Sequence, residues 1–246
     1  MHRFFKAPLA LAYGIYAWIV FVAIAVLALA SALLVPGLER RRATVSALAR
    51  TFLRLAGMPL AVRHAERIPP GQCVIVANHA SYLDGPVFTA VLPPRFGFVI
   101  KREMSGVPLA GALLARIGSQ FVERFDRHRG AADARRVLRS AVNGDSLVFF
   151  PEGTFSHQPG LLKFHTGAFA TAARAGCPVV PAVVRGTRSA LPSRSLLPRP
   201  GAIEIEFLPP IMAAAESADK AAVDLRDRAR NAILRELNEP DLSAAA

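Results

Sequence analysis

A run of 29 residues without a charged side chain, Ala7 to Val35, constrains this chain more than any other stretch. A helix needs about 20 apolar residues to cross the hydrocarbon core of a bilayer, so this run can span with tilt or extend into the interface. A cleaved signal peptide is the alternative, because Arg3 and Lys6 precede the run. The apolar part of a signal peptide, however, covers only about 7–15 residues. We therefore expect an N-terminal membrane anchor.

Basic residues are denser after this run than before it. Five arginines follow closely: Arg40, Arg41, Arg42, Arg50 and Arg54. The positive-inside rule then predicts a location at the inner (cytoplasmic) membrane, with everything after the anchor facing the cytoplasm.

The segment from Leu38 to Ala56 has the pattern of a basic amphipathic helix. Its apolar side carries Val45, Leu48, Phe52 and Leu55, and nearly opposite lie Arg42, Ser46, Arg50 and Arg54. Such a helix can pack on the protein's own core or lie among the head groups of an anionic leaflet. We assign residues 1–57 to the anchor and this helix, and residues 58–246 to one further domain.

From residue 58 onward, short apolar runs alternate with helical patterns. The predicted strands are Leu60–His64, Cys73–Ala77, Phe96–Ile100, Ser146–Phe150, Cys177–Val184 and Ile203–Phe207. This alternation predicts an α/β fold with a mixed, mostly parallel sheet flanked by helices. The run from Cys177 to Val184 contains two prolines, which places it partly at a sheet edge.

Two polar groups with complementary chemistry follow the predicted strand Cys73–Ala77. His79 can take a proton near neutral pH, and Asp84 can hold the imidazole in one tautomer and stabilise its cation. A tight turn that runs into a helix would fold the carboxylate back onto the ring. A surface histidine beside a helix-capping aspartate is the alternative interpretation of this pair.

A second element, Phe150-Pro151-Glu152-Gly153-Thr154, also follows an apolar run. Together with Asn78-His79 and Asp84 it resembles the phospholipid-synthesis acyltransferase family, the glycerolipid acyltransferases that esterify lysophosphatidic acid and related lysophospholipids. The resemblance covers roughly residues 60 to 210. It implies that residues 58–246 form an acyltransferase domain that moves a fatty acyl group to a lysophospholipid hydroxyl, with 1-acyl-sn-glycerol-3-phosphate as the first acceptor and phosphatidic acid as its product.

The resemblance also implies roles for individual residues. His79 is the general base, Asp84 orients it, and Arg124 binds the acceptor's phosphate, unless it forms an ion pair at the end of a strand. Lys101 is a further phosphate ligand or a solvated strand-end charge. The remaining substrate-binding candidates are Glu152, Gly153, Thr154 and Lys163. Glu152 can orient a backbone amide, pair with an arginine or bind an acceptor hydroxyl.

Phe155 departs from the family pattern, which usually has arginine or another polar residue there. The change removes a cation beside the supposed phosphate site, although Lys163 can supply a charge. A lyso-lipid with another head group, such as a lyso-ornithine lipid, is therefore the alternative acceptor.

The composition of the chain limits the kinds of partner that we expect it to bind. The net charge of +12, with 30 Lys and Arg against 18 Asp and Glu, together with 52% hydrophobic residues, favours anionic membrane lipids and phosphorylated substrates. The chain has no nucleic-acid-binding motif. Acyl-CoA or acyl-carrier protein is the implied co-substrate, and we expect no other cofactor. We also expect no metal, because His79 and Asp84 lack further ligands at metal spacing.

Two other classes of function are weaker. A non-catalytic, membrane-anchored lipid-binding protein would be expected to have lost His79 or Asp84. A hydrolase that uses Ser81 or Ser156 as nucleophile lacks the Gly-x-Ser-x-Gly elbow. Cys73 and Cys177 each lie beside an apolar run and are predicted to be buried free thiols.

Overall fold

The computed structural model describes residues 6–123, 127–195 and 197–243. Eight α-helices occur in this part of the chain: α1 (Lys6–Leu34), α2 (Leu38–Leu55), α3 (Asp84–Val91), α4 (Ala110–Arg116), α5 (Arg127–Val142), α6 (Gly167–Ala175), α7 (Thr187–Ala190) and α8 (Ala218–Leu237). The strands are β1 (Leu60–Arg63), β2 (Val74–Ala77), β3 (Phe96–Lys101), β4 (Gln120–Val122), β5 (Ser146–Phe149), β6 (Val179–Arg185) and β7 (Ile203–Phe207). Two short 3₁₀ helices, Ala65–Arg67 and Arg102–Gly106, follow β1 and β3.

The seven strands form one sheet in the order β1-β7-β6-β2-β5-β3-β4. Strands β2 to β6 are parallel to one another, and β7 runs antiparallel to β6. This confirms the predicted mixed, mostly parallel sheet. Because β2 to β6 share a direction, their carboxyl ends meet at one edge of the sheet.

The prediction that the proline-containing strand lies at an edge is wrong. Strand β6 is interior, between β7 and β2. Its antiparallel ladder with β7 spans Ala182 to Arg185, so Pro181 lies just outside that ladder and its missing N–H breaks no pairing there. The carbonyl of Pro181 still accepts a hydrogen bond from Leu208.

Helices cover both faces of the sheet. On one face, Phe52 and Leu53 of α2 share a core with Ile75 and Ala77 of β2. On the other face, Val76 packs with α6 and α8, and α5 packs over Leu147 and Val99. Cys73 and Cys177 are buried free thiols, as predicted.

The N-terminal run forms α1, which packs beside α2 rather than standing apart from it. The ring of Phe21 meets that of Phe52 at 5.4 Å. The hydroxyls of Tyr13 and Tyr16 donate hydrogen bonds to carbonyls of Ala56 and Leu55. The rest of α1 leaves many large apolar side chains exposed, among them Leu9, Leu11, Ile15, Ile19, Val22, Val26, Leu27, Leu33 and Leu34.

Helix α2 packs on the protein's own core, which is the first of the two interpretations of its amphipathic pattern. Its predicted polar side is partly solvated: Arg50 and Arg54 are exposed, whereas Arg42 is half-buried and Ser46 is buried. Arg50 donates to the carbonyl of Ala90, and Arg42 donates to the carbonyl of Ile117. These acceptors lie at or just beyond the ends of α3 and α4, where helix carbonyls lack intrahelical partners.

Candidate active site

The candidate site lies where the carboxyl ends of the parallel strands meet. His79 follows β2, Glu152 follows β5, and Lys101 ends β3. Ligands of open α/β sheets bind at this edge because the loops that follow the strands converge there.

His79 and Asp84 are in direct contact. Nδ1 of His79 lies 2.8 Å from Oδ2 of Asp84. The same oxygen accepts hydrogen bonds from the backbone N–H groups of Ala80 at 2.7 Å and Ser81 at 2.9 Å. The turn between β2 and α3 therefore folds the first residue of the helix back onto the histidine, and the spacing of five residues follows from this geometry.

The pair has an asymmetric environment. The Asp84 side chain is fully buried, and the His79 side chain is 20% exposed. A carboxylate only accepts hydrogen bonds, so the proton shared with Asp84 belongs to Nδ1 and the other ring nitrogen, Nε2, is left to accept a proton. This arrangement suits a general base with a fixed tautomer.

Aromatic rings enclose the imidazole of His79. Phe150 stacks on it with ring centroids 4.5 Å apart, and Phe155 meets it edge-on at 4.7 Å. Phe155 also contacts Tyr82 at 4.9 Å. The residue that departs from the family pattern thus lies against the candidate base itself. Sequence reasoning could not find this contact, because Phe155 and His79 lie on different loops.

Glu152 connects the second motif to the first. Its Oε1 accepts the backbone N–H of His79 at 2.6 Å and its Oε2 accepts that of Leu162 at 2.8 Å. Burial raises the pKa of Glu152 to about 7. Of the three interpretations of Glu152, the orientation of a backbone amide is the one that the contacts fit. Its assignment to substrate binding stays a prediction.

Two more buried polar side chains fix the loop that carries His79. Asn78 exchanges hydrogen bonds with both backbone groups of Val184. The hydroxyl of Ser81 donates to the carbonyl of Leu191 and accepts the N–H of Leu83. Ser81 is therefore a buried structural residue of this loop, which does not suit a nucleophile.

The predicted cationic residues of the site differ in their exposure to solvent. Lys101 is half-buried at the end of β3, whereas Lys163 is exposed in the loop before α6. Arg124 lies outside the described residues.

The two uncharged candidates of the second motif lie in its turn. Gly153 has φ +76° and donates its N–H to the carbonyl of Phe150, which makes this turn tight, and Thr154 is exposed.

A buried acid that sequence reasoning did not single out organises the end of β4. Asp133 of α5 is 3% exposed. Its carboxylate accepts hydrogen bonds from Arg102 at 2.6 and 2.8 Å, from Arg136 at 2.8 Å and from the N–H of Glu123 at 3.0 Å. It thereby ties α5 to the chain that follows β3 and β4. A lone aspartate within an arginine-rich helix gives no sequence signal for this role.

Arg188 was also missed, because the sequence showed it only as one cation in a loop. Its guanidinium donates to the carbonyls of Ser156 and Gln158 at 2.7 and 2.8 Å, and pairs with Glu239 at 3.0 Å. This contact holds the loop after the second motif against the C-terminal segment.

An acyl transfer passes through a tetrahedral oxyanion that needs hydrogen-bond donors, but several backbone N–H groups of the two motif turns are already engaged within the protein. The N–H groups of Ala80 and Ser81 bind Asp84, that of His79 binds Glu152, and that of Gly153 binds Phe150.

The comparisons with known proteins show the family. Residues 59–185 match the family model described as Acyltransferase, and the chain belongs to this family.

Among its relatives, the human 1-acyl-sn-glycerol-3-phosphate acyltransferase alpha is 31% identical over 187 residues, which cover 75% of this chain and 66% of that protein. The lyso-ornithine lipid O-acyltransferase of Pseudomonas aeruginosa is 33% identical over 141 residues, 56% of this chain and 52% of that protein. The chain spans between 39% and 66% of the length of the first curated relatives that it matches.

A solved structure shares the fold. The 1-acyl-sn-glycerophosphate acyltransferase of Thermotoga maritima superimposes with a TM-score of 0.78 over 95% of this chain and 96% of that one, at 21% identity.

Proposed function

We propose that this protein transfers a fatty acyl group from a thioester, acyl-CoA or acyl-carrier protein, to the free hydroxyl of a lyso-lipid. The observation that carries the proposal is the 2.8 Å contact between Nδ1 of His79 and the buried carboxylate of Asp84. It leaves Nε2 of His79 to accept the hydroxyl proton at the edge where the strand ends converge.

The chemistry needs no nucleophile from the protein. The acceptor oxygen attacks the thioester carbonyl carbon while His79 takes its proton, and a tetrahedral oxyanion forms. As this intermediate collapses, the C–S bond breaks and the ester remains. The departing thiolate then takes from His79 the proton that came from the acceptor hydroxyl. A positioned base contributes about 10²–10⁴-fold to such a reaction.

The backbone N–H of Thr154 is our candidate donor to the oxyanion. Oxyanion stabilisation requires a donor that is not spent on the protein itself. Within the described ranges this exposed turn residue makes no hydrogen bond through its N–H, whereas the N–H groups of His79, Ala80, Ser81 and Gly153 are engaged.

The first candidate acceptor is 1-acyl-sn-glycerol-3-phosphate, which would give phosphatidic acid. A lyso-ornithine lipid is the second candidate. Phe155 favours it, because an apolar ring lies against His79 where the family pattern usually has a polar or cationic residue. Lys101 and Lys163, with Arg124, are the proposed ligands of a phosphorylated head group.

Membranes that contain the protein should be offered labelled acyl-CoA and acyl-carrier protein with either acceptor, and His79→Ala should be run in parallel. Product from 1-acyl-sn-glycerol-3-phosphate that disappears in the variant would support the first acceptor. Product from the lyso-ornithine lipid alone would support the second, and Phe155→Arg should then shift preference toward the phosphate. Turnover that survives in purified His79→Ala would refute the proposed base.

We further propose that the α1–α2 hairpin lies along the cytoplasmic leaflet of the inner membrane. By length and composition α1 can cross a bilayer: Pro8–Leu34 has a mean hydropathy of 2.7. Its packing beside α2 argues against an upright helix. An upright α1 would stand α2 beside it within the bilayer and carry the exposed Arg50 into the hydrocarbon, where an arginine at the centre costs about 2.5–3.5 kcal/mol.

Lying flat, the hairpin can bury the exposed apolar side of α1 and leave the arginines at the head groups. The location of the N-terminus tests this orientation. A cysteine added there should react with a membrane-impermeant maleimide only after the cytoplasmic side is opened. Labelling from the opposite side of the membrane would show that α1 spans.

A further inference from the structure

Helix α5 presents two arginines to solvent, Arg135 and Arg139, that pair with no acid among the described residues. Asp133 is the only acid in its sequence, and it is buried. Arg135 and Arg139 are exposed and lie one helical turn apart, opposite the buried side chains of Val137 and Ala141. The outer face of α5 is therefore cationic, and we call Arg135 and Arg139 the arginine pair.

The other arginine-rich helix of the domain is arranged differently. In α8, Arg226 pairs with Asp227, Arg228 with Asp224, and Arg230 with Asp241. In the part of the chain that the structure describes, neither member of the arginine pair forms an ion pair or hydrogen bond through its side chain. Like charges four residues apart destabilise a helix by about 0.2–0.5 kcal/mol, so α5 retains a repulsion that an anionic partner would relieve.

The position of the arginine pair decides which kind of partner fits. Helix α5 packs on the face of the sheet opposite α2. Under the proposed function, the α1–α2 hairpin occupies the membrane side. A partner that binds the outer face of α5 therefore approaches from the solvent side, which favours a soluble anionic molecule over a lipid surface.

The distance to the candidate base fits a partner with a long flexible arm. Strand β4 is three strand spacings from β2, or roughly 14 Å. Helix α5 begins near the carboxyl end of β4, and Arg135 lies about 12 Å farther along the helix axis. A donor anchored on the arginine pair would have to reach about 12 Å back along the helix and roughly 14 Å across the sheet to approach His79.

We propose that the outer face of α5 docks an acidic acyl-carrier protein, whose phosphopantetheine arm extends around the start of α5 to His79. This inference rests on the proposed function, which supplies the thioester donor, and it names the donor. Acyl-CoA has a similar arm but is a small ligand, whereas a folded acidic partner can contact both Arg135 and Arg139 and the exposed helix surface around them.

Charge reversal tests the docking surface. The variant Arg135→Glu/Arg139→Glu should raise KM for a palmitoyl-carrier protein about tenfold or more and change kcat little, because reversing exposed interface charges mainly slows association. KM for palmitoyl-CoA should stay within about twofold. The control is Lys220→Glu/Arg235→Glu, which makes the same change in charge on exposed residues of α8 and should leave both donors unaffected.

Direct binding separates this inference from the proposed reaction. In a His79→Ala background, the palmitoyl-carrier protein should bind in a salt-dependent way, and the charge reversal should weaken binding by a similar factor. Unchanged carrier binding in the reversed variant would overturn the proposal, and so would an equal loss with both donors. Carrier binding that depends on the arginine pair in a wild-type protein without turnover would uphold the docking surface and refute the proposed reaction.

Discussion

Replacing Asp84 with asparagine should separate the charge of this residue from its role in positioning. Oδ2 accepts the N–H groups of Ala80 and Ser81 as well as Nδ1 of His79. In Asp84→Asn, those two backbone donors should select the rotamer that keeps the amide oxygen in the same place. The imidazole then keeps its acceptor and its tautomer, but the negative charge is lost.

The expected loss follows from the electrostatics of the pair. Opposite charges about 4 Å apart interact with about 4 kcal/mol at an effective permittivity of about 20. If this interaction stabilises the imidazolium that forms during attack, its removal should lower kcat about 10³-fold. The new amide NH₂ would replace Oδ1, a buried atom with no partner among the described residues. The free energy of unfolding should therefore fall by about 1–3 kcal/mol.

The assay is kcat with a labelled acyl thioester at saturating acceptor, together with the ¹⁵N chemical shifts of the imidazole, which report the tautomer. Asp227→Asn, an exposed change on α8, is the matched control and should be silent. A loss of less than tenfold in Asp84→Asn with the tautomer unchanged would refute the role of the charge. A loss accompanied by a changed tautomer would show that orientation, not charge, was removed.

Three further substitutions probe the supports of the site. Burial raises the pKa of Glu152 from 4.5 to about 7, so the folded chain binds this proton more tightly than the unfolded chain, and stability should decrease as the pH rises between these values. Glu152→Gln should remove this pH dependence of stability, which is measured as the difference in Tm between about pH 5 and about pH 8. An unchanged pH dependence would mean that other groups cause it. Asp133→Asn should lower the free energy of unfolding by about 1–3 kcal/mol in urea titrations and raise KM for a phosphorylated acceptor more than it changes kcat, whereas an unchanged KM would dissociate this acid from acceptor binding. Asn78→Ala leaves both buried backbone groups of Val184 unpaired and should cost about 2–4 kcal/mol; a loss below about 0.5 kcal/mol would mean that the loop relaxes to satisfy them.

The features that could be predicted from sequence are those that short-range pattern determines. The interior strands were placed within one or two residues because each is a mostly apolar run, and β7 was placed by the alternation of its apolar residues with Glu204 and Glu206. The contact between His79 and Asp84 was foreseeable for a similar reason, since both residues belong to one turn and the chain between them is short.

What could not be predicted depends on contacts between distant segments. Glu152 reaches the N–H of a residue 73 positions away only because β2 and β5 are neighbours in the sheet. The amphipathic pattern of α2 likewise did not show that α1 would cover a second side of it. Arg42 and Arg50 both donate hydrogen bonds to carbonyls at helix ends, and of the two only Arg50 remains exposed.

The site also shows how a buried carboxylate can be held beside an imidazole that contacts two aromatic rings. Removing a carboxylate from water is costly unless hydrogen bonds replace the lost hydration. The N–H groups of Ala80 and Ser81 supply them to Asp84, and they belong to the same turn as His79. Charge compensation and ring orientation therefore arise from one short segment, whereas Asn78 and Glu152 fix the position of that segment on the sheet. Substitutions within the turn should accordingly lower kcat at a constant fold, and substitutions of its two anchors should lower stability and activity together.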